Sequence, residues 1–184
     1  MGDSSFASRD GDLPWTTVHL ALGSNLGDRA ANLAAALERI GTAVRIDRAS
    51  AVYETAPMYV TDQPAFLNMA VRGTTALAPG DLLRFVKGIE ATIGRKEGGE
   101  RFGPRPIDID ILLYGSLIVA EPDLEIPHPR IAERAFVLCP LADIDAGLPH
   151  PVLGRSIADL LAAVPGRDTV LRIAEGLGAV PASR

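Results

Sequence analysis

Hydrophobic and polar positions along the chain change period several times, and each change marks an element. Val18, Leu20 and Leu22 fall on one side of an alternating run, so Thr17 to Leu22 reads as a strand. From Arg29 to Ile40 the period lengthens. Leu33, Leu37 and Ile40 recur at helical spacing in an alanine-rich segment, with Asp28 in place to cap it and Gly41 to stop it. Val44 to Tyr53 returns as a strand, and a loop of about twelve residues, 54–66, leads to a further strand from Phe66 to Thr74. Pro79 and Asp81 open a second helix over 79–93, whose stripe is Leu82, Leu83, Val86, Ile89 and Ile93, and Gly94 ends it. After the loop 94–106, Ile107, Ile109 and Ile111 alternate with Asp108 and Asp110 in another strand. Gly115 starts a turn into a short strand around Leu117–Val119. The segment 126–144 begins extended at its prolines and becomes helical near Ala135–Ile144. Ser156 to Val164 predicts a further helix, and Thr169–Ile173 an edge strand. The order is β-α-β-β-α-β followed by a helical tail, which predicts an α+β, ferredoxin-like sandwich with a mostly antiparallel sheet and a helical C-terminal part.

Composition narrows the function classes. The 184 residues suit one domain with a substantial core, and the 47% hydrophobic and 22% charged content is that of an ordinary globular protein. Residues 15–175 are expected to form that domain, with 1–14 a disordered lead-in rich in Ser, Gly and Asp and 176–184 a frayed tail. The net charge is −5 and the pI about 5.2, so the surface as a whole does not attract nucleic acid. Anion binding must come from a local basic cluster, which 95–105 supplies. The single cysteine, Cys139, excludes an internal disulfide framework and lies in an apolar run, where packing explains it better than nucleophilicity. No stretch approaches the roughly 20 apolar residues that span a membrane, and the N-terminus lacks signal-peptide character, so a cytoplasmic location without membrane association is expected.

The stretch RFGPRPIDIDILLY, residues 101–114, concentrates the candidate chemistry. Pro104 and Pro106 force extended backbone ahead of the strand. Asp108 and Asp110, two apart on a strand, share one face roughly 6.6 Å apart along the chain. Adjacent like charges repel, and burying them requires a compensating cation. Arg101 and Arg105 are one source, and a divalent metal held with phosphate oxygens is another that suits the spacing better. Alternating Ile and Asp also describes a strand half exposed to water, but such a strand has no need of the arginine-rich Gly-Pro loop in front of it. The turn GSNLGDR, residues 23–29, lacks the Lys-Ser/Thr ending of a Walker A loop and reads as a structural turn. His150, before Pro151, reads as structural too.

Four segments together carry a resemblance: ALGSNLGDR, TAPMYVTDQPAFLN, GRKEGGERFGPRPIDIDILLYG and IPHPRIAERAFVLCPL. The chain resembles the 6-hydroxymethyl-7,8-dihydropterin pyrophosphokinases of folate biosynthesis over roughly residues 17–164. That resemblance implies a ferredoxin-like fold and a single pyrophosphokinase domain. It implies transfer of the β,γ-pyrophosphoryl group of ATP, the co-substrate, to the hydroxymethyl oxygen of 6-hydroxymethyl-7,8-dihydropterin, with AMP leaving. By position, it implies that Asp108 and Asp110 bind two Mg²⁺ ions. It assigns Thr55, Pro57, Phe66, Asn68 and Phe136 to the pterin. Glu90, Arg95, Arg101, Arg105, His128 and Arg134 fall around the nucleotide and its phosphates, with Arg95 and Arg105 among the catalytic groups. The residue types fit this chemistry: guanidinium groups suit phosphate oxygens, flat aromatics suit a heterocycle, and an amide reads a polar edge. Glu97, Gly98 and Gly99 follow Lys96 where relatives carry another basic residue, Phe102 stands where some have Trp, and Ala56 where some have Pro. A monomer is expected, and loops 54–66 and 94–106 are expected to close over bound ATP.

Two other classes compete. A non-catalytic ferredoxin-like binding module would normally show aromatics and a basic surface on its sheet, against 5% aromatics and an acidic balance here. A different Mg²⁺-nucleotide transferase on the same Asp-x-Asp strand would not require Asn68 or the Thr55–Pro57 segment.

Overall fold

The computed structural model describes residues 15–57, 62–94 and 103–175. Strand β1 (Thr16–Ser24) lies inside a six-stranded sheet, between β5 (Asp108–Tyr114) at one edge and β4 (Phe66–Thr75) toward the middle. Beyond β4 come β2 (Arg45–Ala49) and β3 (Val52–Thr55), and β8 (Leu171–Ala174) closes the far edge on β3. Every pairing in the sheet is antiparallel. Taking β2 and β3 as one arm, the first four strands in sequence stand in the spatial order four-one-three-two, which is the ferredoxin-like order expected from the hydrophobic pattern.

The alternation in β1 sorts its side chains onto two cores. Val18, Leu20 and Leu22 join Met69, Val71, Ile109 and Ile111 beneath α1 (Arg29–Ile40) and α2 (Pro79–Ile93), whose buried stripes include Leu33, Ile40, Leu82 and Val86. On the opposite face, Ala70, Leu112 and Leu113 pack against α3 (Ala135–Asp145) and α4 (Ile157–Ala163) through Leu138, Leu141, Ile157 and Leu160. Burying each such side chain contributes about 1.5–3 kcal/mol. The helical tail anticipated at the C-terminus is thus the second cover of the sheet.

Several boundaries differ from the expectation. The strand expected over 44–53 is two strands. At the break, the Ser50 N–H donates to Ala70 O at 2.9 Å, and the Ser50 Oγ accepts from Ala70 N at 2.9 Å. A serine that bonds the neighbouring strand through its hydroxyl displaces the regular ladder. β2 lies so close to β4 that a Cβ on Gly73 would stand 2.5 Å from Arg45 O, so only glycine fits there. Gly41 does stop α1, but with φ −58° it stays in the right-handed region. Gly94 ends α2 in the left-handed region at φ 109°. The strand expected at 117–119 is β6 (Val119–Glu121), paired in a separate two-stranded sheet with β7 (Leu124–Ile126). β7 was too short to carry a readable period. β8 begins two residues later than expected because 167–169 form a 3-10 turn. The α4 expectation holds: Ser156 caps it, and its hydroxyl accepts from Asp159 N at 3.1 Å. The expectations for 1–14, 58–61, 95–102 and 176–184 lie outside the described residues.

Candidate active site

Strand register assembles a cleft at one end of the α3-covered face. Across β1, Gly23 pairs with Asp108 on one side and Asn68 on the other, while Ala21 pairs with Asp110 and Ala70. The two smallest side chains therefore lie between the acidic strand and the amide-bearing one. A Cβ on Gly23 would already reach Asn68 Oδ1 at 3.4 Å and Phe66 at 3.8 Å. The cleft is lined by Thr55, Ala56, Gln63, Phe66, Asn68, Arg105, Asp108 and Asp110, and by Arg134, Phe136 and Val137 at the start of α3. Buried Asn68 donates through Nδ2 to Thr55 Oγ1 at 2.8 Å, which fixes the amide's orientation.

The strand expectation for the two carboxylates holds: both line the same cleft, and both are only partly buried. Arg105 Nη1 lies 3.2 Å from Asp108 Oδ2. Asp110 faces His128, whose Nε2 is 3.9 Å from its Oδ2, beyond hydrogen-bond reach. Burial first, and then the Asp108 charge, push the Asp110 carboxyl above its ordinary range, against the pull of His128, Lys87 and Arg134. Burial likewise lowers His128, with Asp110 opposing. Two contacts hold that histidine in place. Its backbone N–H donates to Leu112 O at 2.9 Å, and its Nδ1 accepts from Arg130 N at 3.2 Å, which leaves the neutral ring's proton on Nε2, toward Asp110. The Arg134 guanidinium lies 5.6 Å from the Phe136 ring centroid, and its buried Nε has no partner among the described residues.

Not every residue singled out from the sequence reaches the cleft. Glu90 stands behind β5, 2% exposed; its Oε1 accepts from Ile109 N at 2.6 Å and from Lys87 Nζ at 2.9 Å. β5 is an edge strand, and Glu90 satisfies an outward N–H midway between the two aspartates. Burial raises its carboxyl above the ordinary value. Pro57 is half-buried beside Ala56 and outside the lining; His128 stands at the rim through its approach to Asp110. Arg95 and Arg101 lie outside the described residues. The lining also contains Ala21, Leu22, Gly23, Gln63, Met69 and Val137, none of which the sequence picked out, and Ala56, which it noted only as standing where some relatives have Pro. Ala21, Leu22 and Gly23 sit where the first strand meets its glycine turn, a position that hints at close backbone approach but names no ligand.

The sequence profile of the 7,8-dihydro-6-hydroxymethylpterin-pyrophosphokinase (HPPK) family matches residues 19–146. The chain belongs to the HPPK family. It is 44% identical over 149 residues to the 2-amino-4-hydroxy-6-hydroxymethyldihydropteridine pyrophosphokinase of Methylorubrum extorquens, covering 80% of this chain and 92% of the relative. The like-named protein of Aquifex aeolicus is 38% identical over 143 residues, covering 78% and 89%. A mitochondrial folate synthesis bifunctional protein of Arabidopsis thaliana is 52% identical over 128 residues, 69% of this chain and 23% of its own length. The chain thus spans about a quarter of the length of such bifunctional relatives. The solved structure of wild-type Plasmodium falciparum HPPK-DHPS superposes with a TM-score of 0.68 at 17% identity, covering 84% of this chain and 45% of that one. At that identity the likeness shows the fold, and it is the HPPK fold. The described residues form no helix long and apolar enough to cross a membrane.

Proposed function

We propose that this HPPK-family chain transfers the β,γ-pyrophosphoryl group of ATP to the hydroxymethyl oxygen of 6-hydroxymethyl-7,8-dihydropterin, giving AMP and the pterin pyrophosphate. One observation carries the reading: a fixed amide, two aromatic side chains, an acidic pair and two arginines line a single cleft. A reader of a flat polar heterocycle beside a reader of phosphate is what such a transfer requires.

On this reading Asn68 and Thr55 meet the pterin's amide-like edge, Phe66 and Phe136 meet its faces, and Pro57 shapes the approach beyond Ala56. A buried amide already oriented by its neighbour discriminates strongly against heterocycles lacking the matching edge. Arg105 and Arg134 meet phosphate oxygens, together with His128 at the rim and Arg95 and Arg101 from 95–102. Glu90 supports the acidic strand from behind. The donor set fits Mg²⁺. Asp108 and Asp110 offer hard oxygen ligands in one cleft, where burial and mutual repulsion leave Asp110 under-compensated. Two such ions would be held by this pair, with water and phosphate completing their shells, and would supply charge neutralisation of the triphosphate. Phosphoryl transfer depends mainly on alignment and charge stabilisation, and Arg105 and Arg134 contribute both without covalent participation. The reading takes a single chain as the acting unit and the cytoplasm as its place, with residues 15–175 as the catalytic domain. Sedimentation at assay concentration tests the first of these.

The deciding experiment is product analysis with ATP, Mg²⁺ and the pterin. AMP and a pyrophosphorylated pterin in equal amounts, without free pyrophosphate, are expected. Free pyrophosphate would favour nucleotidyl transfer, and ADP a simple kinase; either overturns the reading.

A further inference from the structure

The turn after β1 contains a fully buried asparagine. Asn25 is 0% exposed, although it belongs to a glycine-containing turn whose next three residues are exposed. Its side chain is bonded in two directions. Toward one wall of the cleft, Nδ2 donates to Gln63 Oε1 at 2.9 Å and to Pro64 O at 3.2 Å. Toward the other wall, Oδ1 accepts from Arg105 N at 2.9 Å, and the Asn25 backbone N–H donates to Arg105 O at 3.2 Å. One residue therefore joins two segments, 38 to 39 positions away on one side and 80 on the other. Segment 63–66 carries Gln63 and Phe66 into the cleft; segment 105–110 carries Arg105, Asp108 and Asp110.

We propose that Asn25 is a positioning residue that holds the Gln63–Phe66 wall and the Arg105–Asp108 wall at their working separation. The inference rests on the pyrophosphokinase reading, since it assigns one wall to the heterocycle and the other to the phosphates. Asparagine is required because the two directions ask for opposite chemistry: two donors on one side and an acceptor on the other, from one short side chain. A carboxylate supplies only acceptors, and a hydroxyl cannot span both. Buried and fully engaged, the amide resists rotation, because turning it would face donors with donors. Arg29 reinforces the first wall alone, with Nη1 donating to Ala65 O at 2.7 Å and to Glu54 Oε2 at 2.9 Å. The second wall has a backbone bond that no substitution at position 25 other than proline removes. The two walls therefore differ in how far they depend on the side chain, and that difference is measurable.

The test titrates 6-hydroxymethylpterin and, separately, a non-hydrolysable ATP analogue with Mg²⁺ into wild type, Asn25→Asp and Asn25→Ala. Asn25→Asp keeps the acceptor for Arg105 N but meets the Pro64 carbonyl with like partial charge; Gln63 can turn its own amide to donate, whereas the Pro64 carbonyl cannot. A rise in pterin Kd of about tenfold or more with nucleotide Kd within about threefold is expected, since one lost bond to a charged or buried partner is of this size. Asn25→Ala loosens the nucleotide too. Folded variants with both Kd values unchanged, or an Asn25→Asp that loses both ligands equally, overturn the inference. Should Asn25→Asp fail to fold, Gln63→Ala replaces it, read by amide hydrogen exchange. Loosening at position 63 should speed exchange at the Arg105 N–H through Asn25, and an unchanged rate overturns the proposal. Wild-type protein that binds neither ligand overturns the functional reading itself and this inference with it, before any variant is compared.

Discussion

Helix α3 has an ionic cluster at each end, both on the same face of the sheet, and the two are built on opposite terms. At its C-terminal end, Asp145 is met by His19 Nε2 at 3.1 Å and by Arg72 Nη1 at 3.4 Å, while Arg72 Nη2 reaches Asp47 at 3.5 Å. Arg48 adds a bond to Ile144 O at 2.7 Å. Acids and bases there compensate one another within the fold, and the helix end is locked. At the N-terminal end, two carboxylates share a cleft. Arg105 is paired with Asp108, and Asp110 has a histidine at 3.9 Å that burial inclines toward neutrality. Both clusters are polar and partly buried. What separates them is pairing: at the open end Asp110 meets His128 at 3.9 Å and the buried Arg134 Nε has no partner among the described residues, and charged groups held this way are available to a ligand.

Removing the acids at the open end should produce the largest effect on activity. Asp108→Ala and Asp110→Ala are each expected to lower turnover by roughly 10²–10³-fold or more, the scale of losing one preorganised electrostatic group. The fold should survive, and Asp110→Asn should raise the melting temperature, because it relieves repulsion between neighbours. Steady-state rates with thermal melts check both halves. An Asp110→Asn protein that keeps most of its activity breaks the comparison. Phe66→Ala comes next. About tenfold or more weaker pterin binding is expected, with the ATP-analogue Kd little changed, as a lost aromatic face implies. Equal weakening of both in a binding titration would make Phe66 a packing residue.

The open end was readable in the sequence because its signal is local. Two aspartates on an alternating strand share a face whatever the rest of the chain does, and Asp108 and Asp110 do. The closed end was not. His19, Arg72 and Asp145 are far apart in sequence, and only the β1–β4 register with the placement of α3 brings them together. Asn25 was missed for the same reason: its partners, 38, 39 and 80 positions away, are invisible in a turn that looks complete by itself. In the fold, strands and helices with a clear period were legible, whereas the break at Ser50 and the three-residue β7 depend on hydrogen bonds to distant segments. Glu90 carries a family-implied place near the nucleotide, yet its partners include Lys87 and the Ile109 N–H, the latter open to it because β5 lies at the sheet edge.

The closed end should respond to mutation in stability and not in catalysis. Asp145→Ala leaves His19 and Arg72 without their shared acceptor, and a loss of about 1–3 kcal/mol is expected from such unsatisfied buried groups. Turnover of the folded fraction should stay within about threefold of wild type. Urea denaturation beside an activity assay separates the two. A variant of unchanged stability but much reduced turnover would mean that the two ends communicate along α3.

The smallest effect is a pH dependence of stability from the closed end. Burial lowers the His19 pKa from 6.5; the hydrogen bond and charge of Asp145 oppose this, as does Asp47, while Arg72 works with burial. A histidine depressed in the folded state binds fewer protons there than in the unfolded chain between its folded value and 6.5. Stability therefore rises with pH across that window, is fully present above about 6.5, and is lost as pH falls through it. His150, also lowered by burial, acts in the same direction; its Nδ1 accepts from Val152 N at 3.3 Å and Leu153 N at 3.2 Å, bonds that a protonated ring would lose. Melting curves between pH 5 and 8 should climb and then level. In His19→Gln, whose amide still donates to Asp145, the climb should shrink to the share left by His128 and His150, both also lowered by burial. Stability that instead falls as pH rises above 6.5 would mean that His19 is held charged by Asp145, making the closed end a true ion pair and widening its contrast with the open one.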